Sequence, residues 1–482
     1  MIGVSDVTQR TSKQLVIRLS VVFAVLVTAL IVALTVLGPF GDRQSTSPQQ
    51  ALAPLTEKVP GASLPEQESP EVLPAVDSAA PEISATKLTE RMAKLMSSKA
   101  LGKSVSVDVL DPLTGEHVLS RASGTARTPA STAKLLTTAA ALSALGSHAT
   151  VTTSAVFDDD TVYLVGGGDV LLGAGESDED AVDGHAGLAT LAEQAAAALS
   201  ASGSTSVKVA LDDTLFEGPA MAGGWDASDV TNGYVAPVYA AEISAGRLQK
   251  GNYVPRSADP GKAAAQAFAD ALADQGITVK GKITRSEAPV AATPLGKVQS
   301  ATIGDQVELA LDHSDNTIAE ALGRLVAIER GEGATFSDTG PAVLNELADQ
   351  DVEVGGAVLA DGSGLSAESR IPVQVLTAVL ALAAGEDGAQ LRPMLSGMPI
   401  AGVSGTLAER FGATSESAAT GLVRAKTGTL SGVSSLAGTL VDEDGRYLVF
   451  AVMADKVPST AAAREALDRF ATGLVGCGCS GG

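Results

Sequence analysis

Ser131-Thr132-Ala133-Lys134 is a candidate nucleophile and base three residues apart. Thr128-Pro129-Ala130 precedes it, and an Ala- and Leu-rich run to Leu142 follows it. Pro129 fits the first position of a helix, where its missing N–H costs nothing, and Ala and Leu favour helix. Gly146 is a stop signal. Residues three apart share a helix face, so Ser131 and Lys134 are expected side by side at the helix start, where the backbone dipoles favour negative charge. A serine hydroxyl is a weak nucleophile until a neighbouring base takes its proton. A lysine whose charge is disfavoured by burial or by another cation is such a base. Taken alone, Ser-x-x-Lys reads as an ordinary helix start.

Two more segments change its weight: Ser314-Asp315-Asn316 and Lys426-Thr427-Gly428. The first alone is a helix cap, and the second alone is the beginning of a strand. Together and in this order, the three resemble the motif set of class A β-lactamases and penicillin-binding proteins. The long insert between Ser131 and Ser314 narrows the resemblance to class C low-molecular-mass penicillin-binding proteins, D-alanyl-D-alanine carboxypeptidases and endopeptidases. So do Gly167-Gly168-Asp169, Asp213-Thr214-Leu215-Phe216, Gly224-Trp225, Ala236-Pro237-Val238 and Asp361-Gly362-Ser363-Gly364-Leu365-Ser366. The similarity covers roughly residues 85–475.

The resemblance implies roles for these residues. Ser131 attacks the peptide carbonyl and Lys134 takes its proton. Ser314 relays a proton to the leaving nitrogen, and Asn316 orients the substrate backbone. Lys426 supplies positive charge for a substrate carboxylate and disfavours protonation of Lys134. Thr427 and Thr429 add hydroxyl donors to that carboxylate, and Gly428 lets a substrate strand lie against the backbone. The N–H groups of Ser131 and Thr429 are the expected oxyanion hole. The implied substrates are peptidoglycan stem peptides ending in D-Ala-D-Ala, with β-lactams as covalent inhibitors. Two other functions are open: a β-lactamase or esterase of the same fold, or a non-catalytic penicillin-sensing or wall-binding module. No Glu-x-x-x-Asn element stands before the third motif where a class A hydrolase carries its deacylating glutamate.

The elements that must position these residues follow from the chain order. Residues 1–18 carry Arg10, Lys13 and Arg18; residues 19–40 are uncharged and apolar. A run of about 22 such residues spans a bilayer core of roughly 30 Å. The preceding positive charges predict a transmembrane signal-anchor with the N-terminus in the cytoplasm and the rest outside, or a secreted chain if the segment is cleaved. Residues 41–85 are a Pro-rich linker. A transpeptidase-like catalytic domain is expected from 86–150 and 295–476, an α/β arrangement of the α+β type: an antiparallel sheet flanked by helices. A smaller α/β domain is inserted at 151–294. Within it, 170–186 reads as an acidic, Gly-rich loop, and Val207–Leu211 as a strand.

The chain holds 45% hydrophobic residues and only 3% aromatic ones, so its core is built from Ala, Val and Leu. A net charge of −23 argues against binding nucleic-acid phosphates, which needs a basic face. Gly166-Gly167-Gly168 lacks the Gly-Lys-Ser/Thr ending of a phosphate loop. The pattern holds no metal cluster and no cofactor motif. His117, His148, His185 and His313 read as structural or exposed. Cys477 and Cys479 are the only cysteines and suggest a local disulfide or a frayed end.

Overall fold

The computed structural model describes residues 79–479, so the expected anchor at 19–40 and most of the linker lie outside the described residues. Among the described residues no helix is long and apolar enough to cross a membrane.

A five-stranded sheet carries Lys426, Thr427, Gly428 and Thr429. It contains β1 (Ser104–Asp111), β2 (Glu116–Arg121), β11 (Val423–Leu430), β12 (Val433–Val441) and β13 (Tyr447–Asp455). Its order is β11-β12-β13-β1-β2 and every pairing is antiparallel. Side chains alternate across a strand, and β13 serves both faces. Val449, Ala451 and Met453 enter one core; Leu448, Phe450, Val452 and Ala454 enter the other. A strand covered on both sides has no reason to alternate apolar with polar, which explains its unbroken apolar run.

The second core is closed by α1 (Ala85–Met96) and α9 (Thr460–Val475). Cys477 and Cys479 form a disulfide, both are buried in this core, and the Ser84 N–H donates to the Cys479 carbonyl at 2.8 Å. Residues 477–479 are therefore packed rather than frayed. The first core is helical, built by α2 (Lys134–Leu145), α5 (Ile303–Asp312), α6 (Asn316–Glu329), α7 (Phe336–Asp349) and α8 (Val373–Ala384).

The insert has its own core under a mixed sheet, β10-β3-β4-β6-β8, with β9 also pairing β6. These strands are β3 (Thr152–Asp158), β4 (Thr161–Val165), β6 (Ser206–Asp212), β8 (Thr278–Val279), β9 (Thr284–Arg285) and β10 (Thr293–Gln299). Helices α3 (Leu188–Ala201) and α4 (Pro260–Asp274) pack on it. The chain between β6 and α4 returns to the catalytic layer, where Phe216, Ala222 and Val238 join the helical core.

Two local expectations are corrected. The loop expected at 170–186 begins with a strand, β5 (Asp169–Leu172), which pairs in parallel with β7 (Ala241–Ile243). A four-residue buried strand is too short to show a period, and the acidic residues after it mask it. The three glycines before it are steric: a Cβ on Gly167 would lie 2.0 Å from the Thr152 carbonyl oxygen. The second correction concerns Pro129. It does not open an α-helix; it caps a 3-10 turn, Ala130–Ala133, and the α-helix begins at Lys134.

Candidate active site

The 3-10 turn decides how the first motif is presented. Side chains three apart eclipse on such a turn, and Lys134 Nζ lies 3.1 Å from Ser131 Oγ. Ala130, directly before the serine, is left-handed at φ 49°. A non-glycine residue there is strained, and such strain persists only where the surroundings over-determine it. Thr132 Oγ1 and Ser435 Oγ both donate to the Pro129 carbonyl, at 2.7 and 2.6 Å. A Cβ on Gly428 would fall 2.6 Å from that oxygen and 2.1 Å from Ser435 Oγ. The room left by Gly428 is thus filled by the protein itself, which seats β11 against the serine turn.

Lys134 is fully buried, and its ammonium nitrogen has three partners. Besides Ser131 Oγ these are Asn316 Oδ1 and, at 2.9 Å, the Ser363 carbonyl. Burial lowers its pKa to about 8, against the opposing charges of Glu320, Asp361 and Asp315. Lys426 is also fully buried; it donates to Ser314 Oγ at 2.8 Å and to the Thr427 carbonyl at 3.0 Å. Burial first, and then the nearby Lys134, push its pKa well down. Two buried lysines therefore each hold a serine, Lys134 at Ser131 and Lys426 at Ser314, and both favour the neutral form more than a free lysine does.

The second motif is both a cap and a site. Asp315 caps α6, accepting from the Ile318 N–H at 3.0 Å. It also accepts from Arg247 at 2.6 Å and Arg256 at 2.9 Å. Burial alone raises a carboxyl pKa, but the two guanidiniums outweigh it and hold Asp315 below its ordinary range. The capping turn sets Ser314 at φ 55°, with its hydroxyl toward Lys426. Asn316 is pinned at both ends of its amide, since its Nδ2 donates to the Tyr234 carbonyl at 2.8 Å. The segment 234–239 is held beside it by the Ala236 N–H, which donates to Thr317 Oγ1 at 2.9 Å.

The third motif lies on an edge strand. Segment 399–401 covers the first half of that edge: the Ala425 N–H donates to the Pro399 carbonyl and the Ala401 N–H to the Val423 carbonyl, both at 2.9 Å. Main-chain groups on a strand alternate in direction with period two. Those of Thr427 and Thr429 therefore point the same way as those of Ala425, out of the sheet, where no backbone pairs with them among the described residues. Thr427 Oγ1 meets Thr406 Oγ1 at 2.9 Å, and Thr429 Oγ1 accepts from Arg464 Nε at 3.3 Å.

All eight sequence candidates, Ser131, Lys134, Ser314, Asn316, Lys426, Thr427, Gly428 and Thr429, thus lie on elements that meet: Lys134 joins Ser131 to Asn316, Lys426 joins β11 to Ser314, and Gly428 packs on the serine turn. The chemistry available is transfer of an acyl group to a serine beside an amine whose charge burial disfavours. A cavity of about 620 Å³ lined by Asp213, Tyr239, Arg285 and Arg324 holds none of them. Of the histidines, His117 pairs with Asp108, and His313 pairs with Asp312 and lines a small pocket with Ser314 and Asp315.

A profile of the D-Ala-D-Ala carboxypeptidase 3 (S13) family matches residues 88–255 and 249–474. The chain belongs to that family. A carboxypeptidase of Mycobacterium tuberculosis is 38% identical over 85% of this S13 chain and 88% of its own length. Carboxypeptidase DacB of Mycolicibacterium smegmatis is 35% identical over 88% of this chain and 91% of its own. Penicillin-binding protein 4 (dacB) of Haemophilus influenzae shares the fold, with a TM-score of 0.62 at 22% identity, over 82% of this chain and 98% of that one. The family expected from the three motifs is the family found.

Several groups of this S13 site escaped the motif reading. Glu320, buried one turn beyond Asn316, accepts the Gly362 and Ser363 N–H groups at 2.9 and 2.7 Å. Burial and the neighbouring Asp361 push its pKa up to about 8, despite those hydrogen bonds and Lys134. Asp361 accepts from Gly364 N–H at 2.7 Å, Ser366 N–H at 2.6 Å and Trp225 Nε1 at 2.9 Å. The loop so held delivers the Ser363 carbonyl to Lys134. Its sequence marks it as a tight turn, but a backbone carbonyl carries no signature in residue type.

Proposed function

We propose that the chain is a serine DD-peptidase that removes the terminal D-alanine from peptidoglycan stem peptides and also cleaves D-alanyl cross-links. The observation that carries this reading is the placement of Lys134 Nζ among Ser131 Oγ, Asn316 Oδ1 and the Ser363 carbonyl, with a second buried lysine beyond Ser314. Membership of the S13 family and the names of the mycobacterial relatives support it.

The steps follow from the geometry. The substrate lies along the open edge of β11 as an added strand, with its terminal carboxylate at Thr427 and Thr429. Neutral Lys134 takes the Ser131 proton as Oγ bonds to the carbonyl carbon. The carbonyl electron pair moves to oxygen, faced by the Ser131 and Thr429 N–H groups. Collapse breaks the C–N bond, and the departing nitrogen takes a proton from Ser314 Oγ, which Lys426 replaces. Water then attacks the acyl-serine. Its proton returns to Lys426 through Ser314, and Lys134 returns its own to Ser131. The proton count closes over the cycle.

The apolar segment 19–40 and the charges before it support a catalytic domain outside the cytoplasmic membrane, tethered through residues 41–85. The function is tested with residues 79–482, by intact mass after penicillin and by free D-alanine from a peptide ending in D-Ala-D-Ala. A lasting adduct on Ser131, and D-alanine release that Ser131→Ala abolishes, are expected. Rapid penicillin turnover without an adduct would favour a β-lactamase, and an adduct with no peptide cleavage a sensor.

A further inference from the structure

Arg464 on α9 stands at the end of the open strand. Its Nε donates to Thr429 Oγ1 at 3.3 Å, and it makes no ion pair among the described residues. Arg91, Arg121, Arg324, Arg370, Arg392 and Arg424 also lack an ion pair there, but each donates to a main-chain carbonyl, whereas Arg464 reaches only the Thr429 hydroxyl. Arg464 is thus an exposed guanidinium that has no carboxylate partner among the described residues, on a chain of net charge −23. Its main chain is anchored, because the Arg464 carbonyl accepts from Arg410 Nη2 at 3.2 Å, and Arg410 is itself tied to Asp468. The Tyr253 phenol from the insert lies within electrostatic reach of both Arg464 and Asp315.

The hydroxyl of Thr429 gives this placement a consequence. A hydroxyl has one proton and two lone pairs. One lone pair of Thr429 Oγ1 receives Arg464 Nε–H, so the proton is left to point elsewhere. The guanidinium fork has further N–H donors in one plane, matched to a carboxylate.

We propose that Arg464 is a specificity residue: with Thr429 it receives the free carboxylate of the D-amino acid that cleavage releases, and so selects against substrates whose carboxyl at that position is amidated. This rests on the DD-peptidase reading. A carboxylate there accepts from Thr429 Oγ1–H and from Arg464 together; a carboxamide brings no charge and presents N–H groups to donors.

The test compares an acyl-D-Ala-D-Ala peptide with its C-terminal carboxamide, in the wild type, Arg464→Gln and Arg464→Lys. The readout is the ratio of kcat/KM for carboxylate over carboxamide, with thermal melting as a control for folding. Arg464→Gln is expected to reduce that ratio about ten- to a hundred-fold, the range of a charge-assisted hydrogen bond, and Arg464→Lys to recover part of it. A ratio unchanged in Arg464→Gln overturns the proposal. Should the wild type cleave neither peptide, the DD-peptidase reading fails, and the carboxylate preference is read instead from acylation of Ser131 by benzylpenicillin and its methyl ester. Loss of that preference in Arg464→Gln sustains the assignment of Arg464, and an unchanged preference, or no acylation by either compound, overturns it.

Discussion

Lys134 Nζ and the carbonyl of Ser363 are 2.9 Å apart, although 229 residues separate them in the chain. A carbonyl oxygen accepts from either form of an amine, so it fixes where the base sits without adding a formal charge. Lys134→Ala removes the base and leaves that carbonyl and Asn316 Oδ1 without their buried partner. Acylation of Ser131 by penicillin is expected to slow on the order of 10²- to 10⁴-fold, measured by stopped-flow or intact mass.

The acylation rate should follow the neutral fraction of Lys134. Burial brings its pKa down to about 8. Below that pH the lysine is charged and holds its proton, so kcat/KM should rise about tenfold per pH unit on the acid side. It should fall again on the alkaline side, where Lys426, whose pKa burial also lowers, loses the proton it passes to Ser314. A profile flat from pH 6 to 9 would remove Lys134 from the role of base.

Gly364 supports the same arrangement from the opposite side. It has φ 76°, and a Cβ there would lie 2.0 Å from the Ala130 carbonyl oxygen and 2.9 Å from Ala133 Cβ. Gly364→Ala therefore adds about 1–2 kcal/mol of left-handed backbone strain to a clash with the turn that carries Ser131. Both the melting temperature and the acylation rate should fall. A variant that loses stability but acylates at the wild-type rate would mean the turn does not depend on this contact.

Asp315→Asn should act on stability and on its pH dependence. Arg256, which is buried, and Arg247, which is partly exposed, would lose this carboxylate; breaking a buried pair costs roughly 3–5 kcal/mol. The folded-state pKa of Asp315 lies below its ordinary 3.8, so its contribution is present above that value and disappears as pH falls through the lower one. Chemical denaturation at pH 3 and pH 6 should show a smaller difference in the variant than in the wild type.

The motifs were legible because each is a short run whose side chains do the chemistry: Ser131 and Lys134, Ser314 to Asn316, Lys426 to Thr429. The flanking elements were legible too. Val373–Ala384 is bounded as expected, and Gly146 ends α2. What stayed hidden belongs to main-chain atoms and to distance. The Pro129 and Ser363 carbonyls act through position, and any residue type would supply them. Glu320 reads as one more polar residue on a helix until the loop at 361–366 folds over it. Arg464 reads as a solvated helix residue until α9 is laid beside β11. Asp169–Leu172 became a strand because β7, a partner 72 positions away in register at Asp169 and Ala241, completes it.

Segment 399–401 stops short, leaving the rim of β11 beyond Ala425 without a backbone partner among the described residues. An unguarded sheet rim accepts any extended chain, including the same rim of another copy. Here the guard is long-range: copies of net charge −23 repel until salt shortens the Debye length to about 3 Å near 1 M. Crowded, salty solutions should thus favour reversible self-association that blocks turnover and that a bound β-lactam suppresses, so the colloidal behaviour of this protein and the occupancy of its cleft become one equilibrium.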